Sequence, residues 1–250
     1  MRLGRNKLGL LRVIGQERSG PRRVNLNLPK MNAAGRRVLV WDLYTRLFHW
    51  LTVALVPAAY VTWRLNRMDW HALIGDALLT LLLFRLVWGF VGSETARFAR
   101  FLASPRAAVR HLARLFHREP DEQIGHNPAG GWMVLVLLAL LFGETLTGIV
   151  VNNDVADVGP LTRVMPAKLA NLLTDLHAAL WDALLAAVAL HVATIVIYAV
   201  AKGHRLLHPM ITGRKWLPDQ TALPRLASFG LAVLVLVCSV GAAALLASFL

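Results

Sequence analysis

Hydrophobic residues run through the chain in five long blocks, at 38–63, 70–91, 131–151, 172–201 and 227–250, separated by shorter polar connections. A helix needs about 20 mainly apolar residues to cross a hydrocarbon core of about 30 Å, and each block is long enough. The pattern predicts an all-α integral membrane protein, with a four-helix transmembrane bundle followed by a fifth, C-terminal transmembrane helix. The first block is the least uniform, because Asp42 and Arg46 fall in its opening turns. A shorter pattern lies within the connection 92–130. Ser104 and Pro105 suit an N-cap and a first helical position. Val109, Leu112 and Phe116 then recur at spacings of three and four, with Arg106, Arg110 and Arg114 interleaved. This predicts an amphipathic helix lying on the membrane interface, a plain solvated helix being the alternative.

Composition sharpens this picture. Of 250 residues, 56% are hydrophobic and 16% charged, an apolar excess typical of membrane proteins. The net charge of +13 would point to nucleic acid in a soluble protein. Its placement points elsewhere. Residues 1–37, 92–130 and 202–226 carry ten, six and five basic groups, whereas the two intervening connections carry only Arg64 with Arg67 and Arg163 with Lys168. By the positive-inside rule the N-terminus is expected in the cytoplasm and, after five crossings, the C-terminus outside. Membrane lipid is the expected neighbour, and nucleic acid is not.

The chain divides into a basic arm (1–37), a membrane domain (38–215), and a linker with the last helix (216–250). The arm lacks the apolar stretch of a secretory signal and is expected to rest on anionic lipid, with Met31 as an alternative translation start. Trp41, Trp63, Trp70, Trp88, Trp132 and Trp216 fall near predicted helix ends, as an interfacial aromatic belt does. The single cysteine, Cys238, excludes disulfides, thiolate metal sites and covalent haem attachment through a CxxCH motif.

Four of nine histidines fall inside or at the edge of apolar blocks: His49, His71, His177 and His191. Ionisable groups in a bilayer are costly and usually functional. His177 and His191 are 14 residues apart, which leaves them about 40° apart around a helix and about 21 Å apart along it. His49 lies in the inner half of the first helix, about 24 Å before its outer end, and His71 opens the second helix beyond that end. The bundle thus offers His49 opposite His191 at an inner level, and His71 opposite His177 at an outer one. Paired imidazoles suit the two axial positions of a haem iron. Gly75, one turn after His71, leaves room for a flat macrocycle, and Trp181, one turn after His177, can wall the same pocket.

The chain resembles the bacterial cytochrome b561 and nickel–iron hydrogenase b-type cytochrome family. The resemblance is carried by VWDLYTRLFHW (40–50), WHALIGDALLTLLLFRLVWGFVG (70–92), GHNPAGGWMV (125–134), LTGIVVNND (146–154), the spaced histidines of 176–192, and HPMITGRK (208–215). It implies two non-covalent b haems, with ligands at positions matching His49, His71, His177 and His191. It also implies location in the bacterial inner membrane, and electron exchange between quinone and a redox partner such as hydrogenase subunits or cytochrome c.

Among other polar groups, Arg46 and Arg85 lie in inner halves of helices, where Arg can pair with haem propionates or snorkel to headgroups. Arg46, three residues before His49, is favoured for the inner haem. Asp76, Glu144 and Asp182 are carboxylates in apolar helices, suited to a proton path to quinone or to packing hydrogen bonds. His126 can meet a quinone carbonyl or a propionate, or simply belong to a turn capping the third helix. His111, His117, His204 and His208 are not assigned to iron. Two other readings stand beside the electron carrier: a self-sufficient oxidoreductase acting on a small molecule such as superoxide, and a non-redox transporter or anchor whose histidines bind zinc.

Overall fold

The computed structural model describes residues 35–114, 117, 123–151 and 165–249. The basic arm, the Met31 start, Phe116 of the amphipathic pattern and Arg163 lie outside the described residues. Strand β1 (Gly35–Leu39) precedes α1 (Leu43–Arg64) and α2 (Met68–Val91). Two short helices follow, α3 (Phe98–Phe101) and α4 (Pro105–Ala113), and then α5 (Pro128–Gly148) and α6 (Ala167–Ile197). A π-helical turn, Tyr198–Lys202, extends α6, before α7 (Leu207–Thr212), strand β2 (Arg214–Pro218) and α8 (Phe229–Phe249).

Among the described residues, four helices are long and apolar enough to cross a membrane: α2, α5, α6 with its π turn, and α8. The 22-residue α1 is long enough but is not among them. Its start also differs from the sequence pattern, because residues 38–41 are not helical. Asp42 is the N-cap, its side chain accepting the Thr45 amide at 2.7 Å. The preceding segment pairs as β1 with β2, antiparallel, with Val38 opposite Lys215. Gly213 closes this clasp. It sits at φ 79°, and its carbonyl accepts the amides of Val40 (2.8 Å) and Trp41 (3.1 Å). A side chain there would collide with the Trp41 carbonyl, so glycine is required on two counts.

Helix α2 is central, packing against α1, α5 and α8, while α5 packs against α6 and α4. In lipid this packing rests on close van der Waals contact more than on exclusion of water. One cluster joins Leu82, Phe98, Phe101, Leu138, Leu141 and Leu184; another joins Phe84, Trp88 and Ala96 to Ala232 and Val235 of α8. Helix α8 is also fixed at its approach, where Arg225 and Glu94 exchange hydrogen bonds and the Ala227 amide donates to Ser93. Trp88 leaves the predicted belt: it is fully buried and donates to Asp42 at 3.2 Å. Trp41 is buried too, in a cluster with Val38, Val40 and Leu217.

Helix α4 starts as its sequence predicts, with Pro105 first and Ser104 capping the Ala107 amide. Val109 and Leu112 are exposed while Ala108 is buried against the bundle. His111 of α4 contacts the Tyr198 hydroxyl at 2.6 Å, tying this helix to the π turn. The strands, α3, α4 and α7 gather at one end of the bundle, with most of the described basic residues. That end is called the basic end here, and the opposite one the far end.

Candidate haem-binding sites

The far-end site is built by a tight hairpin. Only Leu65, Asn66 and Arg67 separate α1 from α2, and Asn66 takes the left-handed conformation (φ 54°) that asparagine tolerates well. The hairpin folds α2 back along α1, so that His71 Nδ1 meets the Ala59 carbonyl at 2.9 Å. Across the bundle, His177 Nδ1 meets the Glu144 carbonyl at 3.0 Å and the Thr147 hydroxyl at 3.2 Å. A carbonyl only accepts, so each Nδ1 carries the proton and each Nε2 keeps its lone pair. The two rings face one another with centres 6.4 Å apart and planes at 90°.

This separation can be compared with what a bridging metal requires. An ion held between two imidazole nitrogens at about 2.0–2.1 Å each puts the ring centres roughly 6.4 Å apart. Backbone carbonyls on the remote nitrogens are also the usual means of fixing a ligating imidazole. Gly75 lies one turn along α2, and a Cβ there would meet nothing within 4 Å. At Gly148, by contrast, a Cβ would come within 3.0 Å of the His177 ring. The Glu144 carboxylate lies 3.5 Å from His177 Nε2. Trp181 stacks on Tyr60 of α1, centres 5.3 Å apart and nearly parallel, beside this site. The far-end residues fit a bis-imidazole metal centre with space beside it.

The basic-end site is built differently. His49 and His191 lie within electrostatic reach of one another, and His126, from the turn that opens α5, lies within reach of both and of Arg85. His126 packs between Trp41 (4.6 Å) and Phe101 (4.7 Å). Burial pushes its imidazole down to about 3, with Arg85, His191 and His49 adding to the effect, so it stays neutral at ordinary pH. Arg46 is anchored by one nitrogen, donating to the Ile211 carbonyl at 2.7 Å, while Trp50 donates to Met210 at 3.1 Å.

Buried polar atoms without a hydrogen-bond partner among the described residues concentrate here. Thr45 Oγ1, Arg46 Nε, His49 Nδ1, Thr52 Oγ1, Arg85 Nη1 and His126 Nδ1 are six of them; the others are Arg36 Nε and, at the far end, Glu144 Oε2. Such groups are expensive to leave unpaired. The six at the basic end all belong to side chains able to donate. The chemistry fits a large bound group that brings acceptor oxygens of its own, as haem does through its propionates.

His126 belongs to the turn that opens α5, as its sequence position implies, and the fold brings it within electrostatic reach of the basic-end pair. Asp76 and Asp182 make no ion pair with either pair of histidines among the described residues. Nor do the described residues contain any group of three or more His, Cys, Asp or Glu side chains placed to hold a metal ion.

The sequence profile of prokaryotic cytochrome b561 matches residues 40–213. The chain belongs to the prokaryotic cytochrome b561 family. The match spans everything from the end of β1 to Gly213, including both histidine pairs. No curated protein and no solved structure matches the chain. Membership of the prokaryotic cytochrome b561 family makes the chain a multi-pass membrane b-type cytochrome that works in electron transfer.

Proposed function

We propose that this cytochrome carries two non-covalent b haems, one between His71 and His177 and one between His49 and His191, and passes electrons across the membrane between the quinone pool and a redox partner protein. The observation that carries the reading is the far-end pair. Its two imidazoles face one another at 6.4 Å with their remote nitrogens held by carbonyls. When bound, each haem supplies a one-electron centre. The chain's own contribution would be to hold the far-end imidazoles in one tautomer, to supply His71 with His177 and His49 with His191 as iron ligands, and to keep the two sites at two depths. His177 and His191 set that difference, about 21 Å along α6.

The reading includes location in the bacterial inner membrane with the basic end in the cytoplasm, as the charge distribution supports. It takes α1 as a fifth crossing, shielded by α2, and so places the two termini on opposite sides. It keeps 38–215 as the haem domain and 216–250 as linker and peripheral helix. Hydrogenase-like subunits or a cytochrome c are the partner classes, reached at one face while quinone exchanges at the other.

The test is haem quantification with a reduced-minus-oxidised spectrum of the purified full-length protein. Two haems per chain and a sharp band in the alpha region are expected. A properly folded, colourless protein made with ample haem supply would end the reading. Co-purification from native membranes would identify the partner.

A further inference from the structure

Arg85 poses a problem that the two histidine pairs do not solve. It sits inside α2, is 2% exposed, and has Nη1 without a hydrogen-bond partner among the described residues. A buried guanidinium is strongly disfavoured unless an anion meets it. Its closest charged neighbour of opposite sign, Asp42, does not serve. The two carboxylate oxygens of Asp42 accept the Thr45 amide and the Trp88 indole, and no ion pair joins it to Arg85. The Phe98 ring lies against the guanidinium at 5.1 Å and offers only its π face.

The position of Arg85 in the helix says what it faces. It follows His71 by 14 residues, the same interval that separates His177 from His191. On α2 as on α6, that interval leaves the two side chains about 40° apart around the helix and about 21 Å apart along it. So α2 presents a histidine at the far level and, on nearly the same face, an arginine at the basic-end level. His126, within electrostatic reach of Arg85 and of both His49 and His191, lies beside it with Nδ1 also unpartnered.

We propose that Arg85, with His126, binds a propionate of the haem held between His49 and His191. The inference rests on the two-haem reading above and adds the orientation of one haem. Its carboxylate end points to α2 and the α5 turn. A carboxylate offers four lone-pair sites to the guanidinium fork and the imidazole N–H, a geometry arginine matches and a point-charge ammonium does not. Arg46, held by Ile211, keeps Nε for the second propionate or for positioning.

The test compares R85Q and R85K with the wild type, using full-length protein and haem potentials rather than turnover. H177A and H191A, each expected to retain one haem, assign the two potentials. R85Q is expected to move the basic-end potential to a more negative value and leave the far-end potential in place. R85K is expected to retain most of the wild-type potential. Haem-free protein is then loaded with haem or with its dimethyl ester. The wild-type basic-end site should bind the ester more weakly than haem, and R85Q should lose most of that preference.

Unchanged potentials in R85Q, or equal wild-type affinity for haem and ester, would overturn the proposal. So would a loss of quinone binding in R85Q with the basic-end potential unmoved, which would make Arg85 a quinone residue. If R85Q does not fold, the wild-type ester comparison decides. Absence of haem at the basic end of the wild type is a different result, and it refutes the two-haem reading instead.

Discussion

The two histidine pairs of this chain are held by opposite strategies. At the far end the polypeptide fixes both imidazoles itself, and the one buried polar atom left over there among the described residues is an acceptor, Glu144 Oε2. Carbonyls of Ala59 and Glu144 fix both imidazoles, and the rings already stand at a ligating separation. At the basic end the polypeptide leaves donors over: His49 Nδ1, Arg85 Nη1, Arg46 Nε and His126 Nδ1 are buried without partners among the described residues. The difference teaches that one pair of imidazoles is fixed by backbone, whereas the other lies among donors that, on the two-haem reading proposed above, a bound haem would complete. Hydrogen bonds made by backbone carbonyls are independent of the ligand. Unpaired buried donors are a standing cost that only the ligand relieves.

The comparison can be broken most decisively at the ligands. H177A and H191A should each cost one haem and spare the other, measured by haem content and by the alpha band. Loss of neither, or of both together, would mean that the pairing is wrong. Next comes G148V, which drives a side chain into the His177 ring. It should weaken far-end haem binding by about 10–100-fold, the range seen when a ligand's support is disturbed, while basic-end binding is kept. Haem depletion should follow the same divide. Amide exchange should rise more around residues 45–52, beside the unpartnered donors, than at the far end around residues 59 and 71.

Smaller effects sharpen the contrast. D42A removes both the α1 cap and the Trp88 acceptor and should cost about 1–2 kcal/mol, read from thermal unfolding. T147V removes only the second contact of His177 Nδ1, because the Glu144 carbonyl remains. Its effect on far-end haem affinity should stay within about 0.5–1.5 kcal/mol.

Much of the scaffold was legible in the sequence because its signals are local. Long apolar blocks marked the spans, Ser104 and Pro105 marked the start of α4, and the 14-residue interval in α6 brought two histidines to one face. What escaped was non-local. Gly35–Leu39 reads as the tail of a basic arm and the start of an apolar block, because a five-residue strand has too short a period to declare itself. Its partner, Arg214–Pro218, is almost the whole chain away. Asp42 looked like a charge inside a helix and is in fact its cap. His126 could not be placed in the basic-end site from its own neighbours, since Trp41, Phe101 and Arg85 reach it from three other segments. Arg85 did carry a readable signal. Its interval from His71 repeats that of the α6 histidines, yet an arginine near a helix end has a ready explanation in headgroup contact.

The β1–β2 clasp has a bearing on how the molecule is born. Translation delivers residues 35–39 early, yet none of the strand they pair with exists until residues 214–218 have been made. The far-end hairpin and the His177 support are complete well before then, because their last member lies in α6. Every segment that makes the far-end contacts is therefore available before the clasp at the opposite end can close.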